Sequence, residues 1–188
     1  MLKIGFVCPV YNAQVLDSYT RIALRSFFET TPGGVAIVVD DASSTWTPAY
    51  QESLRSIAAD YDHAEIHFKC FPKAGGLTRS WNAGLAIADQ LKLDYAIAGN
   101  NDVIFTAKWY EGLVHALANG YSLAGPLSNA PGITARGKQE VSKYVSAFEL
   151  TDNRDKLDDT AAELRARHLG KVIESVVNGF FQMAKMED

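Results

Sequence analysis

Polar side chains follow the apolar runs of this sequence at the points where those runs end. Tyr11 and Asn12 follow "FVCPV", Asp40 and Asp41 follow "VAIVV", and residues 100–102, which read NND, follow "YAIAG". An aromatic ring, carboxylates and amides at neighbouring strand ends could together bind a polar ligand, because ligands of open parallel sheets lie beyond the carboxyl ends of the strands. One interpretation of these residues is therefore a ligand site.

The same residues also fit a purely structural role. Asn and Asp close turns with their own side chains and tolerate left-handed backbone, so residues 100–102 could form a turn. Tyr11 and Asn12 could form only the turn between a strand and a helix, and Asp40 and Asp41 could cap the segment "ASSTWTP". The residues themselves leave both interpretations open at each position.

A glycine pair and a basic residue stand at the start of a predicted helix. Gly75 and Gly76 would allow the backbone to approach an anion at the helix N-terminus. Arg79, in the first turn, is opposed by the helix dipole, so we expect it to have an anionic partner, either a phosphate or one of the two Asp residues after "VAIVV". Neither GxxxxGK[ST] nor GxGxxG occurs in the sequence, which excludes the P-loop and the dinucleotide-binding fingerprint.

Strand-like and helix-like patterns alternate from the N-terminus to Pro126. The predicted strands are 2–10, 35–41, 64–70, 94–99 and 121–125. Apolar residues recur every three or four positions between them and predict four helices, at 16–27, 48–57, 75–91 and 107–120. This alternation predicts an α/β fold with a mainly parallel central sheet and helices on both faces.

The pattern changes after Pro126. Residues 125–144 are rich in Gly and Pro and predict a long loop, a length typical of functional segments. Residues 153–170 predict an amphipathic helix, with acids in its first turns and Arg residues in its last. A final strand is predicted at 178–186, and the sequence ends directly after it. We therefore expect a domain that is cut short at its C-terminus.

Composition limits the classes of function. The 188 residues suit one domain or one domain with an appendage, and 47% apolar content with 21% charged residues is typical of a globular protein. The net charge of -4 gives no indication of nucleic-acid binding. No segment approaches the roughly 18 consecutive apolar residues that a membrane span needs. Cys8 and Cys70 have no metal-ligand spacing, which predicts buried free thiols and a cytoplasmic location.

Four stretches, taken in order, resemble a known family. "FVCPVYNAQ", "IVVDDASS", "GGLTRSWNAGLAIA" and "YAIAGNNDVIF" are similar to the nucleotide-sugar-binding half of family 2 glycosyltransferases, over residues 3–126. "GFFQMAKMED" resembles the later strand on the acceptor side. The resemblance implies the Rossmann-like GT-A fold in a single domain over 1–188. Its nucleotide-sugar half would be 1–126, and its acceptor-side half, with a helical insertion, would be 127–188.

The resemblance also implies roles for individual residues. The nucleotide-sugar-binding residues would be Pro9, Tyr11, Asn12, Asp41, Gly76, Arg79, Asn100 and Asn101. Among them, Pro9, Tyr11 and Asn12 would line the pocket for the base and ribose. Asp41 would hydrogen-bond the base, and Arg79 would face the diphosphate.

Residues 100–102 occupy the position of the family's D-x-D motif. The resemblance implies that Asp102 binds a Mg²⁺ or Mn²⁺ ion, which would bridge this carboxylate and the diphosphate oxygens. The sequence departs from the motif at its first acid, which is Asn100 here. The Asn100 amide oxygen can still coordinate the ion, or bind the ribose, but it brings no negative charge, so we expect low metal affinity in the absence of nucleotide.

The implied reaction moves a sugar from a nucleotide-diphosphate donor to an acceptor hydroxyl, usually with inversion, in polysaccharide or glycoconjugate synthesis. A carboxylate would take the acceptor's proton. The only acids beyond the last strand are Glu187 and Asp188, and the family's base should come further along, so the catalytic residue is left unassigned.

Two other functions and one other location remain open. Asn100 and the missing base also fit a non-catalytic module of the same fold that binds a sugar nucleotide or a protein partner. A nucleotidyltransferase should carry a glycine-rich, basic loop after the first strand, and "PVYNAQ" has neither feature. A location at the periphery of the membrane is the alternative to a freely cytoplasmic one. The donor sugar, the acceptor and the oligomeric state do not follow from the sequence.

Overall fold

The computed structural model describes residues 2–128, 139–141, 144, 153–172, 177 and 179–186, without the side chains of 13–16. The chain divides into two compact units, Met1–Phe105 with Lys185–Asp188 and Thr106–Ala184. The helices and strands, in chain order, are β1 (Ile4–Val10), α1 (Ala13–Thr30), β2 (Gly34–Asp40), α2 (Pro48–Ala59), β3 (Glu65–Cys70), α3 (Leu77–Gln90), β4 (Tyr95–Gly99), α4 (Glu111–Ala118), α5 (Arg154–His168) and β5 (Phe181–Lys185).

The first unit is built on a parallel sheet. β1 lies in the centre and pairs in parallel with β2, from Ile4 opposite Gly34 to Val10 opposite Asp40, and with β4. β3 pairs in parallel with the other side of β2. The sheet order is β3-β2-β1-β4-β5, and the last residue of β5, Lys185, belongs to this unit. All residues of β1, β2 and β4 are buried, as expected for parallel strands covered on both faces.

Helices cover both faces of this sheet. On one face Phe6 of β1 packs against Phe27 of α1 and against Phe105, with ring centroids 5.4 Å and 5.0 Å apart. On the other face Val7 of β1 packs beside α3, where a Cβ on Gly84 would overlap the Val7 side chain. Glycine at position 84 therefore allows α3 to lie directly on the sheet. The predicted α/β architecture is confirmed.

α3 is also fixed at the end of β4. The indole Nε1 of Trp81 donates a hydrogen bond to the carbonyl of Gly99 at 3.1 Å. Gly76, the residue before the helix, has a φ of 88°, which a residue with a Cβ rarely adopts. Glycine is thus needed at the point where the chain turns into α3. Leu77, which the apolar spacing assigned to the buried face, is exposed.

The second unit contains α4, α5 and most of β5. The Asn153 side chain caps α5 by accepting from the Lys156 amide at 3.1 Å. Asp158 of this helix accepts from the Ala107 amide at 3.0 Å, and Arg165 donates to the Ala107 carbonyl. The apolar face of the amphipathic helix predicted over 153–170 is only half-buried, and α5 has no fully buried residue.

Several sequence predictions need correction or lie outside the described residues. The predicted strand 121–125 is wrong: only Ala124 pairs, in an isolated antiparallel bridge with Met183, while Tyr121 and Leu123 are exposed. Both cysteines are free, as predicted, but Cys70 is exposed because β3 is the edge strand. Most of the predicted loop 125–144, and also Glu187 and Asp188, lie outside the described residues.

None of the helices in the described ranges combines the length and the apolarity that a membrane crossing requires.

Candidate nucleotide-sugar site

The end of β1 carries three of the predicted site residues. Pro9 is buried in the strand and lies opposite Val39 of β2. Tyr11 is 51% exposed. Asn12 has left-handed backbone, with a φ of 53°, and its side chain makes no capping hydrogen bond to α1. Asn tolerates this conformation better than most residues, so Asn12 makes the sharp turn that leaves the Tyr11 ring exposed to solvent.

The two adjacent acids at the end of β2 separate into different environments, because successive strand residues point to opposite faces. The Asp40 carboxylate accepts from the Ser43 amide at 3.0 Å and lies 3.3 Å from the Cys70 Sγ, which donates to it. Asp40 is fully buried. Of the two interpretations open for Asp40, the structure thus shows the turn-forming one.

Asp41 instead contacts the start of α3. Its carboxylate accepts from the backbone amide of Gly75 at 3.0 and 3.1 Å and from that of Gly76 at 2.7 Å. The guanidinium of Arg79 donates a further, charge-assisted hydrogen bond to it. The end of β2 and the N-terminus of α3 are therefore joined through one carboxylate.

These bonds determine the charge state of Asp41. Burial by itself raises the pKa of the carboxyl group, but the amides of Gly76 and Gly75 and the guanidinium of Arg79 outweigh it. The pKa of Asp41 therefore lies below its ordinary value, and the group is a carboxylate at neutral pH.

Arg79 is held on three sides. Besides Asp41, it donates to the backbone carbonyl of Lys73. Its guanidinium lies 3.9 Å from the centroid of the Phe71 ring, a cation–π contact. It also covers Gly75, where a Cβ would overlap the guanidinium. Of the two anionic partners that the sequence left open for Arg79, the structure contains the carboxylate.

The end of β4 is more open. Asn100 and Asn101 are half-buried and Asp102 is exposed. The Asn101 amide donates to the Thr20 hydroxyl at 3.0 Å, which ties this turn to α1. Burial, and after it the charge of Asp102, raises the pKa of the buried Cys8 thiol near the end of β1. β1 and β4 pair in parallel up to Val7 and Ala98, so the carboxyl ends of these two strands lie side by side.

A divalent cation would find few protein ligands here. No group of three or more His, Cys, Asp or Glu side chains suited to a metal occurs in the described part of the chain. The exposed carboxylate of Asp102 and the amide of Asn100 are hard oxygen donors, which suits Mg²⁺ or Mn²⁺ when phosphate oxygens and water complete the coordination. These residues thus fit a cation that arrives with a diphosphate.

All predicted site residues belong to the first unit. They lie at the carboxyl ends of β1, β2 and β4 and at the N-terminus of α3. Sequence reasoning missed Phe71, which stacks on Arg79. An aromatic residue directly after a predicted strand was the available signal for it.

The profile of Glycosyl transferase family 2 matches residues 6–176. The chain belongs to this family. The family assignment made from the four ordered stretches is thereby confirmed, and the match extends beyond them into the second unit.

Solved structures show the same fold as this family 2 chain. The mannosyltransferase PcManGT from Pyrobaculum calidifontis, in complex with GDP-Man and Mn2+, has a TM-score of 0.53 at 14% identity, covering 97% of this chain and 44% of its own. S. aureus TarS 1-349 in complex with UDP has a TM-score of 0.54 at 13% identity, covering 96% of this chain and 60% of its own. At these identities the similarity is one of fold, which confirms the GT-A expectation.

The family 2 chain spans only 44% and 60% of the length of these two solved chains. No curated protein sequence matches it.

Proposed function

We propose that this family 2 chain binds a nucleotide-diphosphate sugar and transfers the sugar to an acceptor hydroxyl, with inversion at the anomeric carbon, in polysaccharide or glycoconjugate synthesis. The observation that carries the proposal is the contact between Asp41 and the start of α3, in which two backbone amides and Arg79 donate to the carboxylate. This contact lies at the carboxyl ends of the strands, where open α/β sheets bind their ligands.

The binding residues divide by chemistry. We assign the base and ribose to the end of β1, where the exposed Tyr11 ring offers a stacking surface beside Pro9 and Asn12. The diphosphate faces the N-terminus of α3, where Gly76, Arg79 and the helix dipole favour an anion. PcManGT, with GDP-Man and Mn2+, and TarS, with UDP, support a nucleotide-diphosphate ligand for this fold.

The end of β4 faces the same diphosphate in this proposal. Asp102, with Asn100 and Asn101 beside it, would hold a Mg²⁺ or Mn²⁺ ion, which would neutralise charge on the leaving diphosphate. The chain's own residues orient the donor: Arg79 attracts the diphosphate, and Asn101, tied to α1 through Thr20, keeps the turn of residues 100–102 in place.

Calorimetric titration with UDP, GDP and dTDP, each with and without Mn²⁺, tests the proposal. We expect at least one nucleotide to bind, and to bind more tightly with Mn²⁺. If none of the three nucleotides binds under either condition, the proposed function is wrong.

The second candidate is a non-catalytic module that binds a sugar nucleotide or a protein partner. Asn100 favours it, because the position after β4 that carries an acid in the D-x-D motif has a neutral amide here. Incubating the protein with a nucleotide sugar and a set of saccharide acceptors distinguishes the two candidates. Transfer of labelled sugar to any acceptor excludes the non-catalytic candidate.

For the location, we propose the cytoplasm or the cytoplasmic surface of a membrane. Cys8 and Cys70 are both free thiols, which favours a reducing compartment. Fractionation of cells that produce a tagged protein tests this, since an extracellular fraction would contradict it.

A further inference from the structure

We propose that the outer edge of β3 is the interface of a homodimer, in which β3 pairs antiparallel with β3 of a second copy around a two-fold axis at His67. The sheets of the two copies would then form one continuous sheet, with their candidate sites at opposite ends of its strands. The inference does not depend on the proposed function. It rests on the place of β3 in the sheet, the direction of its hydrogen-bonding groups and its sequence.

The outer side of β3 presents backbone groups that have no strand beside them. Among the described strands, β3 is the last in the sheet order and pairs with β2 alone. The Phe71 amide donates to the Asp40 carbonyl of β2, so the N–H groups of every second residue back along β3 also point towards β2. The N–H and C=O groups of Ile66 and Phe68 therefore point outwards, and no other strand or loop in the described ranges bonds to them.

The sequence of β3 does little to prevent pairing with another strand. Edge strands are commonly protected by a proline, a β-bulge or a very short length, but β3 has six residues in unbroken register with β2 and contains no proline. Charge is its remaining protection, since Glu65 and Lys69 are both exposed. Charges at an edge disfavour most partners, yet they favour a strand that places the opposite charge against each of them.

A second copy of β3 is such a strand. When two copies run antiparallel with His67 opposite His67, Glu65 of each copy lies opposite Lys69 of the other. Ile66 then lies opposite Phe68 of the second copy, a pair of apolar side chains that stabilises sheets. Each His67 ring is hydrogen-bonded to Glu65 of its own chain at 2.6 Å, which places a carboxylate beside both imidazoles at the axis. The strand is therefore complementary to itself, as a two-fold interface requires.

The register that matches the charges is also the one that the backbone can bond. In an antiparallel pair, opposed residues alternate between those that exchange both backbone hydrogen bonds and those that exchange none. With the axis at His67, Ile66 and Phe68 of the second copy are of the bonded kind, and their N–H and C=O groups are the ones that point outwards. Glu65 and Lys69 are of the other kind, in which the Cα atoms are only about 4.5 Å apart and the side chains lie closest.

Charge reversal tests the interface and its register together. Analytical ultracentrifugation of the wild type over a range of protein concentrations should show an equilibrium between monomer and dimer. We expect Glu65→Lys and Lys69→Glu each to weaken the dimer by about tenfold or more, because the two-fold symmetry turns two attractive charge pairs into two repulsive ones. A wild type that stays monomeric at every concentration overturns the proposal, and so does a dimer that neither reversal weakens.

A mixture of the two variants separates the proposed register from any other. In a mixed dimer of Glu65→Lys with Lys69→Glu, each reversed charge again lies opposite a charge of the other sign. We therefore expect the mixture to dimerise as tightly as the wild type, and the double variant to dimerise with itself. Such a rescue would also show that both single variants are folded. Failure of both the mixture and the double variant to dimerise overturns the proposal.

The matched controls are Asp89→Lys and Lys92→Glu. Asp89 lies on α3 and forms an exposed ion pair with Lys92, so the two reversals change the net charge by the same amounts without altering β3. We expect both to leave the dimer affinity unchanged, separately and mixed. Losses as large as those of the β3 variants would indicate an effect of net charge and contradict an interface at this edge.

Amide hydrogen exchange followed by NMR measures the backbone pairing directly. The amides of His67 and Lys69 point towards β2 and should be protected in the wild type and in Glu65→Lys alike. The amides of Ile66 and Phe68 should be protected in the wild type at concentrations where the dimer forms, and should exchange faster in Glu65→Lys at the same concentration. Unprotected Ile66 and Phe68 amides in a dimeric wild type would contradict pairing through β3.

Discussion

The strand ends of β2 and β4 both present an aspartate at the same edge of the sheet, yet the two differ in almost every physical respect. Asp41, after β2, is buried and accepts from two backbone amides and a guanidinium. Asp102, after β4, is exposed, and within the described ranges it has no hydrogen bond or ion pair. The Asp41 carboxylate is thus hydrogen-bonded within the protein, whereas the Asp102 carboxylate is open to a ligand.

This difference separates two ways of building a binding site. Around Asp41 two backbone amides and one guanidinium nitrogen are already hydrogen-bonded before any ligand binds, which preorganises the N-terminus of α3. At Asp102 the carboxylate stays hydrated, and it can exchange water for a cation at little cost. Four substitutions test this difference, and their expected effects decrease in the order Asp102→Asn, Asp41→Asn, Asn100→Asp and Phe71→Leu.

Replacing Asp102 should have the largest effect. Asp102→Asn removes the only carboxylate of residues 100–102 and with it the charge that would hold a divalent ion. We expect sugar transfer to slow on the order of a hundredfold and Mn²⁺ to lose its effect on UDP affinity. Titration of UDP with and without Mn²⁺ measures the second quantity, with Asp89→Asn as control, because Asp89 lies on α3 in an exposed pair with Lys92. An undiminished Mn²⁺ effect would show that Asp102 is not the ligand.

Asp41 should contribute to folding stability in a pH-dependent way. The pKa of its carboxyl is lowered from 3.8 in the folded state, so its contribution is fully present above that value and is lost as the pH falls through the folded-state pKa. We expect Asp41→Asn to cost about 2 kcal/mol or more at pH 7. Urea unfolding of the wild type and the variant from pH 7 downwards should show this difference shrinking below about pH 4. A pH-independent difference would contradict the assignment.

Replacing Asn100 by Asp should make the two strand ends more alike. Asn100→Asp adds a second carboxylate beside Asp102, and we expect Mn²⁺ affinity without nucleotide to rise by about tenfold, since affinity follows ligand charge. Titration of Mn²⁺ alone measures it. Asn101→Asp is the matched comparison, because it adds the same charge but loses the amide that donates to Thr20. Equal Mn²⁺ affinity for wild type and Asn100→Asp would refute a metal role for this position.

The Phe71 ring should have the smallest effect. Phe71→Leu removes the cation–π contact with Arg79 but keeps an apolar side chain, and we expect UDP affinity to fall by about threefold. Phe68→Leu is the matched control, because Phe68 makes the same kind of contact with Arg55, at 4.8 Å. Its replacement should leave UDP affinity unchanged. Equal losses from both variants would indicate a general loss of stability.

The sequence predicted the strands and helices themselves better than it predicted which strands lie next to one another. The buried strands β1, β2 and β4 were identified from uninterrupted apolar runs, because a parallel strand covered on both faces has no polar face. The strand at 121–125 was wrongly predicted from the same kind of run, because a strand also needs a neighbour over its length. Only Ala124 has one. Cys70 was wrongly predicted to be buried because edge position in a sheet depends on strand order, which periodicity does not contain.

By itself, the sequence determined that polar groups would follow the apolar runs, that the fold would alternate strands and helices, and that an Arg in the first turn of a helix would need an anion. Only the tertiary structure decided which anion that is. Asp40 and Asp41 are chemically identical neighbours, and the strand turns them to opposite faces. Packing of α3 on one of those faces, which Gly84 allows, brought Arg79 to Asp41 and left Asp40 to bind Ser43.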